Sequence, residues 1–332
     1  MKRKNELYKE ICDINHIMRA FEEVCKNTKN KKKVAKFREY KCIHISKIYN
    51  VLNKRKYEVG PYNVFTIYEP KKRRIVSQNM IDKTINHLVA RYILMPAIIP
   101  CLIDQNVASR KNMGVAYGIK YLNKYRDICE CKYKEYYILK CDISAFFASI
   151  NQEILQRKLE RKIKDKEALE IVYKIIKSEE NGLGIGNMTS QILAIFYLND
   201  LDHYIKEKLK IKYYIRYQDD FLLIHHSKEY LKECLNRIEE FLRKEKLILN
   251  KKTRIYKNTN NFIFLGRSIK GKYANYRNIK RKIKKKQYLY LTQKISLMSY
   301  ASTIICYKNL VKKIVVWIST ELVALVFYAF SW

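Results

Sequence analysis

Glycine and proline are scarce in this chain, at 8 and 4 residues out of 332. No low-complexity linker and no internal repeat can be found, so the chain reads as compact and continuous. Paired cysteine motifs are missing too. The nine cysteines (Cys12, Cys25, Cys42, Cys101, Cys129, Cys131, Cys141, Cys234 and Cys306) are odd in number, never spaced C-x-x-C, and mostly embedded in apolar settings such as ILKCD and LKECL. That argues against a disulfide framework or a zinc finger and predicts reduced, buried thiols in a cytoplasmic protein. The N-terminus lacks the apolar run of a signal peptide. MKRKNELYKEICDINHIMRAF reads instead as one amphipathic helix with Leu7, Ile11, Ile14 and Met18 on a single face, so no export is implied.

Acid is the other shortage. Asp and Glu number 32 against 68 Lys and Arg, a formal net charge of +36. A compact state with that surplus repels itself unless a polyanion is near, which points to nucleic acid. An A+T-rich genome also inflates lysine, but the origin of the charges does not cancel their field. Apolar residues make up 48%, enough for one large domain or two to three subdomains. The last stretch, Ile314 to Trp332, is nearly charge-free apart from Glu321. Ser319, Thr320 and Glu321 interrupt its apolar centre, favouring a buried terminal helix over a membrane anchor.

Along the chain, NTKNKKKVAKFREYK (Asn27 to Lys41) is a basic helix or loop, either a solvated lysine face or a nucleic-acid contact. VFTIY and RIVS read as short strands around the basic turn EPKKR, followed by a helical pattern through Ile81, Ile85, Leu88 and Tyr92. YYILKCD is a strand ending in Asp142, with a helix through Ile154, Leu155 and Leu159 behind it. Ile192 to Leu209 should form a long helix. YYIRY and FLLIH then flank QDD, placing Asp219 and Asp220 at the tip of a hairpin. Tyr230 to Leu242 returns to helical period. Strand, helix, hairpin, helix and strand in that order predict an α+β, ferredoxin-like sheet with helices on one face.

Adjacent aspartates repel, and a divalent cation reverses that cost. Oxygen-only ligands favour Mg²⁺, and phosphoryl transfer through two ions needs a second acidic strand end beside the hairpin. Asp142 is the candidate. Two exposed turn aspartates are the plain alternative for the pair alone.

Seven blocks follow one another in order between Tyr62 and Ile269: EPKKRRIVS, IDKTINH, KCDISAFFASI, GLGIGNMTSQILAIFYLNDLDHYI, YIRYQDD, LNKKTRI and FLGRSI. Together they resemble the motifs of a reverse transcriptase, specifically the enzymes of diversity-generating retroelements. The resemblance implies a right-hand polymerase with fingers, a ferredoxin-like palm and a short helical thumb. Its parts would be an N-terminal helical extension (1–60), fingers (61–135 and 151–185), palm (136–150 and 186–269), and thumb with the apolar terminal segment (270–332).

It further implies that Asp142, Asp219 and Asp220, with the Ile143 carbonyl, hold two Mg²⁺ ions. Phe147 would be the gate against a 2′-hydroxyl, with Phe146 in the core, and Arg73 would clamp the triphosphate. Lys83 stands where many relatives carry arginine and lacks the bidentate fork. Lys252 would protonate departing pyrophosphate, Lys251 being nearly as good and a solvated loop lysine being the plain reading. FLGRSI would grip the primer end. At Ile185, Gly186 and Gln191 the sequence has I-G-x-x-x-S-Q in place of the more usual Gln before that glycine and Pro after the serine. That variant resembles the enzymes that misincorporate opposite template adenine; an apolar Ile185 removes a hydrogen bond to the nucleotide, or merely fills a pocket.

The implied partners are a template-repeat RNA, the RNA–cDNA duplex, deoxynucleoside triphosphates and a small basic accessory oligomer, with no membrane. The 63 residues from Lys270 leave no room for an RNase H or endonuclease domain. Rival readings are a retron or phage-defence reverse transcriptase, or an inactive RNA-binding scaffold, which the retained acids disfavour.

Overall fold

Asp13 interrupts the single N-terminal helix that the apolar spacing predicts. Its carboxylate accepts from the backbone N–H of Asn15 (2.7 Å) and His16 (3.1 Å). This cap separates α1 (Tyr8–Cys12) from α2 (Ile14–Asn27). The buried stripe of α2 is therefore Ile17, Phe21 and Val24, while Ile14 and Met18 are 40% and 41% exposed. α3 (Lys31–Glu39) turns the basic run into a helix with Val34 and Phe37 inward, and α4 (Lys41–Asn53) follows.

The computed structural model describes residues 3–68, 73–269 and 276–302. The chain divides into two compact units, Met1–Phe65 with Arg74–Ile269, and Thr66–Arg73 with Lys270–Trp332. β1 (Asn63–Ile67) and β2 (Arg73–Ser77) pair as the sequence predicts, with residues 69–72 of the turn outside the described residues. α5 (Met80–Leu88) runs through a π-helical stretch, Val89–Leu94, into α6 (Met95–Ile98), and α7 (Val115–Lys132) precedes the central sheet.

That sheet begins with β3 (Tyr137–Asp142). Five helices follow: α8 (Phe146–Ser149), α9 (Gln152–Glu160), α10 (Lys166–Lys177), α11 (Met188–Tyr197) and α12 (Asn199–His203). The long helix expected from Ile192 to Leu209 breaks at Leu198 (φ −91°, ψ 7°) and ends in a π-helical stretch, Tyr204–Lys208. At the break the Tyr197 carbonyl accepts from the Lys158 ammonium at 3.0 Å, which satisfies a group the helix no longer can. β4 (Tyr213–Tyr217), β5 (Asp220–His225), α13 (Lys228–Lys244) and β6 (Arg254–Lys257) complete a βαββαβ unit. Strand order is β4-β5-β3-β6, antiparallel throughout, which is the ferredoxin-like arrangement.

Helices cover both faces of this sheet, not one. Leu139, Cys141, Tyr214, Phe221 and Leu223 share a core with Leu231, Cys234 and Ile238 of α13. The alternate residues Ile138, Ile215, Leu222 and Ile224 pack with Ile119 and Leu122 of α7. YIL and FLLI are apolar at consecutive positions, so each face carries surface that must be buried. Phe264 of the short hairpin β7 (Ile263–Phe264) and β8 (Arg267–Ser268) joins the α7 side.

The second unit contains the basic helix α14 (Tyr276–Leu291), near whose end Tyr290 stacks on Tyr300 at 5.4 Å. None of the eight described cysteines is in a disulfide, but Cys42 and Cys131 are exposed rather than buried. Cys306 and the apolar Ile314 to Trp332 lie outside the described residues. Among the described residues no helix is long and apolar enough to cross a membrane.

Candidate active site

The pairing Tyr217↔Asp220 leaves Gln218 and Asp219 as a two-residue turn between β4 and β5. Gln218 has φ 57°, in the left-handed region. Asp219 therefore sits in the turn, whereas Asp220 is the first residue of β5. On the other side of β5, the register with β3 makes Asp142 the direct partner of Asp220. Residues so paired have Cα atoms about 5 Å apart. Two acids 78 positions apart in sequence thus meet at one end of the sheet, with Asp219 adjoining.

The strand end is braced from behind. The Asp142 carbonyl accepts from Asn250 N–H at 2.7 Å and Ser144 N–H donates to Ile248 at 2.9 Å. Ile143, buried at 2% exposure, bridges Leu249 between them. That ladder is carried by its neighbours and leaves the Ile143 carbonyl outside it. Lys252 is exposed, in the turn that follows, and its N–H donates to Asn250 Oδ1 at 3.1 Å.

Burial pushes the Asp220 carboxyl up to about 6; Lys140 opposes the rise, and the nearby Asp142 and Asp219 add to it. Lys140 Nζ lies 2.8 Å from Asp220 Oδ1. That contact is a close, charge-assisted ion pair, and it opposes the rise. Sequence reasoning missed Lys140, although it stands two residues before Asp142 and so on the same face of β3.

A family model described as reverse transcriptase (RNA-dependent DNA polymerase) matches residues 54–269. The chain belongs to that family. Reverse transcriptases are RNA-directed DNA polymerases, hence nucleotidyltransferases, and generally use divalent metal ions. No curated protein matches the sequence. Among solved structures, telomerase from Candida albicans in complex with a fragment of telomeric RNA is 12% identical with a TM-score of 0.50, over 83% of this chain and 60% of that one. Apo telomerase from Candida tropicalis, truncated of its C-terminal domain, is 15% identical with a TM-score of 0.49, over 66% and 56%. The chain thus spans under two thirds of the length of these telomerases. With the family match, the α+β architecture and its ferredoxin-like sheet are those of the right-hand polymerase fold.

The donor set suits the hard divalent ions reverse transcriptases use: carboxylate and carbonyl oxygens, with like charges crowded at Asp220. As the side chains stand, no three His, Cys, Asp or Glu among the described residues are gathered tightly enough to hold an ion.

The other residues singled out from the sequence are dispersed. Phe146 is buried at 3% exposure and Phe147 is half-buried, their rings edge to face at 5.8 Å. Gly182 (φ 65°) packs directly on this segment, since a Cβ there would lie 2.2 Å from the Phe147 carbonyl oxygen. Lys83 and Gly186 line a cleft of about 180 Å³ together with Thr28, Lys33, Val76 and Asn187. Lys83 donates to Thr28 Oγ1 at 3.0 Å, and burial followed by Lys33 pulls its pKa down. The Ile185 carbonyl accepts from Val76 N–H at 3.2 Å, which draws the glycine segment onto β2. Gly186 has φ 127°, and a Cβ on it would meet the Val76 oxygen at 3.0 Å. Gln191 is exposed on α11. Arg73 is exposed at the start of β2 and belongs to the second unit.

Proposed function

We propose that this chain is an RNA-directed DNA polymerase that copies a template-repeat RNA into cDNA with misincorporation opposite adenine, as in a diversity-generating retroelement. The observation that carries the activity is the register placing Asp142 opposite Asp220, with Asp219 in the adjoining turn. Asp142, Asp219 and the Ile143 carbonyl would hold two Mg²⁺ ions in this reading, and the ions would supply activation of the primer 3′-hydroxyl and neutralisation of departing pyrophosphate. Asp220 stands alongside, balanced by Lys140. Phe147 excludes a 2′-hydroxyl, and Lys252 lies on a turn tied to Asp142 through Asn250, from which it can deliver a proton. Lys83 and Gly186 contribute the floor of the cleft, Gln191 lies on the helix beyond it, and an apolar Ile185 withholds a hydrogen bond from the nucleotide.

The net charge of +36 supports template RNA and the RNA–cDNA duplex as partners; a small basic accessory oligomer rests on the resemblance to diversity-generating enzymes alone. A structural relative bound to RNA is consistent with that choice. The deciding experiment uses primed RNA, deoxynucleoside triphosphates and Mg²⁺. Asp219→Asn lowers extension about 1,000-fold or more while RNA affinity stays within about two-fold. Undiminished extension overturns the assignment. Sequencing the wild-type cDNA tests the subtype: errors concentrate opposite template adenine, and an even error spectrum removes the retroelement reading while leaving the polymerase.

A further inference from the structure

Arg216 is fully buried in β4, as is its partner Asp202 of α12. Its Nε donates to Asp202 Oδ1 at 2.6 Å and its Nη2 to Asp202 Oδ2 at 2.5 Å. The same guanidinium reaches two backbone carbonyls, Ile195 on α11 (2.9 Å, from Nη2) and Gln218 in the turn (2.9 Å, from Nη1). Its own backbone is held by the 105–107 segment, with Arg216 N–H donating to Gln105 at 2.9 Å and Val107 N–H to Arg216 at 3.0 Å. Gln218 has a left-handed backbone (φ 57°), and its side-chain Nε2 donates to Ser109 Oγ at 3.0 Å. A non-glycine residue persists in that conformation only where its surroundings hold it. Neutralising Asp202 would need one salt bridge; beyond it the fork ties α11 through Ile195 and the turn through Gln218.

The geometry points to Arg216 as the positioning residue of the catalytic hairpin: by fixing the Gln218 carbonyl it sets the direction in which Asp219 is presented. This rests on the polymerase reading. Lysine at 216 keeps the charge opposite Asp202 but, having one short-reaching ammonium in place of a planar fork, cannot serve Asp202, Ile195 and Gln218 together. The substitution thus separates stabilising the interior from aiming the turn.

The test compares Arg216→Lys with Tyr214→Phe, which removes another hydrogen bond to the same buried Asp202 (2.7 Å) without touching the turn. Arg216→Lys is expected to lower kcat about ten-fold or more with KM for deoxynucleotide within about two-fold, because the acid is misaimed and not removed. Amide exchange at 218–220 should accelerate in parallel. Tyr214→Phe should lose thermal stability and keep kcat. Wild-type kcat in folded Arg216→Lys, or kcat losses in both variants that simply follow their melting temperatures, overturns the inference. Should Arg216→Lys not fold, the double variant Asp202→Leu with Arg216→Met removes both buried charges together and is read by the same outcomes. If the wild type makes no cDNA the polymerase reading fails, and amide exchange at the turn still decides whether Arg216 holds it.

Discussion

Asp202–Arg216 and Lys140–Asp220 both brace the acidic hairpin, from opposite faces of one sheet. Side-chain alternation puts Arg216 on the face of Tyr214, towards α13, and Lys140 on the face of Ile138, towards α7. The first pair has no exposed side-chain surface, and Asp202 accepts two bonds from Arg216 and one from Tyr214. The second is open, with side chains 17% and 22% exposed. A sealed pair with its lone pairs occupied fixes geometry and cannot take a ligand. An open pair holds charge that a ligand can reorganise.

Breaking the sealed pair gives the largest effect. Asp202→Ala leaves a buried guanidinium without its carboxylate, which costs about 3–5 kcal/mol of folding stability. Chemical denaturation should show this loss equally with EDTA and with Mg²⁺, since no metal can reach the site. A loss that Mg²⁺ repairs would break the comparison at its firmer end.

The open pair responds to pH. In metal-free protein Asp220 is raised to about 6 from an ordinary 3.8, burial being the main cause. Below pH 3.8 the group is protonated both folded and unfolded and contributes nothing. Between 3.8 and 6 the unfolded chain releases a proton that the folded one keeps, so stability falls as pH rises. Above about 6 the penalty is complete, about 3 kcal/mol at most for a shift of this size. Stability of wild type relative to Asp220→Asn, followed by denaturation in EDTA, should decline across pH 4 to 6 and level off by pH 7. A flat difference would mean that burial does not raise the Asp220 carboxyl.

The two pairs also differ in how legible they were. The ferredoxin-like order and the meeting of Asp142 with the hairpin could be read because strand periodicity is two residues, and a slip of one would turn Leu139 and Cys141 away from α13. YILK and FLLI already showed that both faces need cover, yet the cover supplied by α7 was not foreseen, because nothing local in that helix says which sheet face it will meet. Asp13 reads as a cap only in hindsight of the chain direction, and it moved the buried stripe of α2 from Ile14 and Met18 to Ile17 and Phe21. Arg216 lies between Ile215 and Tyr217 in an otherwise apolar strand, a visible conflict with burial. Its resolution depends on Asp202, 14 positions earlier on a helix whose break at Leu198 periodicity does not predict. Lys140 was legible from its place two residues before Asp142; the strand's apolar run drew attention away from it.

The smallest effect sharpens the contrast most. Lys140→Met keeps the methylene stem and removes the ammonium, leaving Asp220 with Asp142 and Asp219 and no cation. For a partly exposed pair the loss is about 1 kcal/mol in EDTA at pH 7. A divalent ion bound by the same carboxylates supplies the missing charge, so Mg²⁺ should recover most of that loss and stabilise the variant more than the wild type. The sealed pair predicts the reverse for Asp202→Ala, whose deficit is indifferent to Mg²⁺. Measuring both variants by denaturation across a Mg²⁺ series therefore decides between two accounts of Lys140. If its loss is as indifferent to the ion as that of Asp202→Ala, the Lys140–Asp220 contact is ordinary structural pairing, and the acids do not share a cation site.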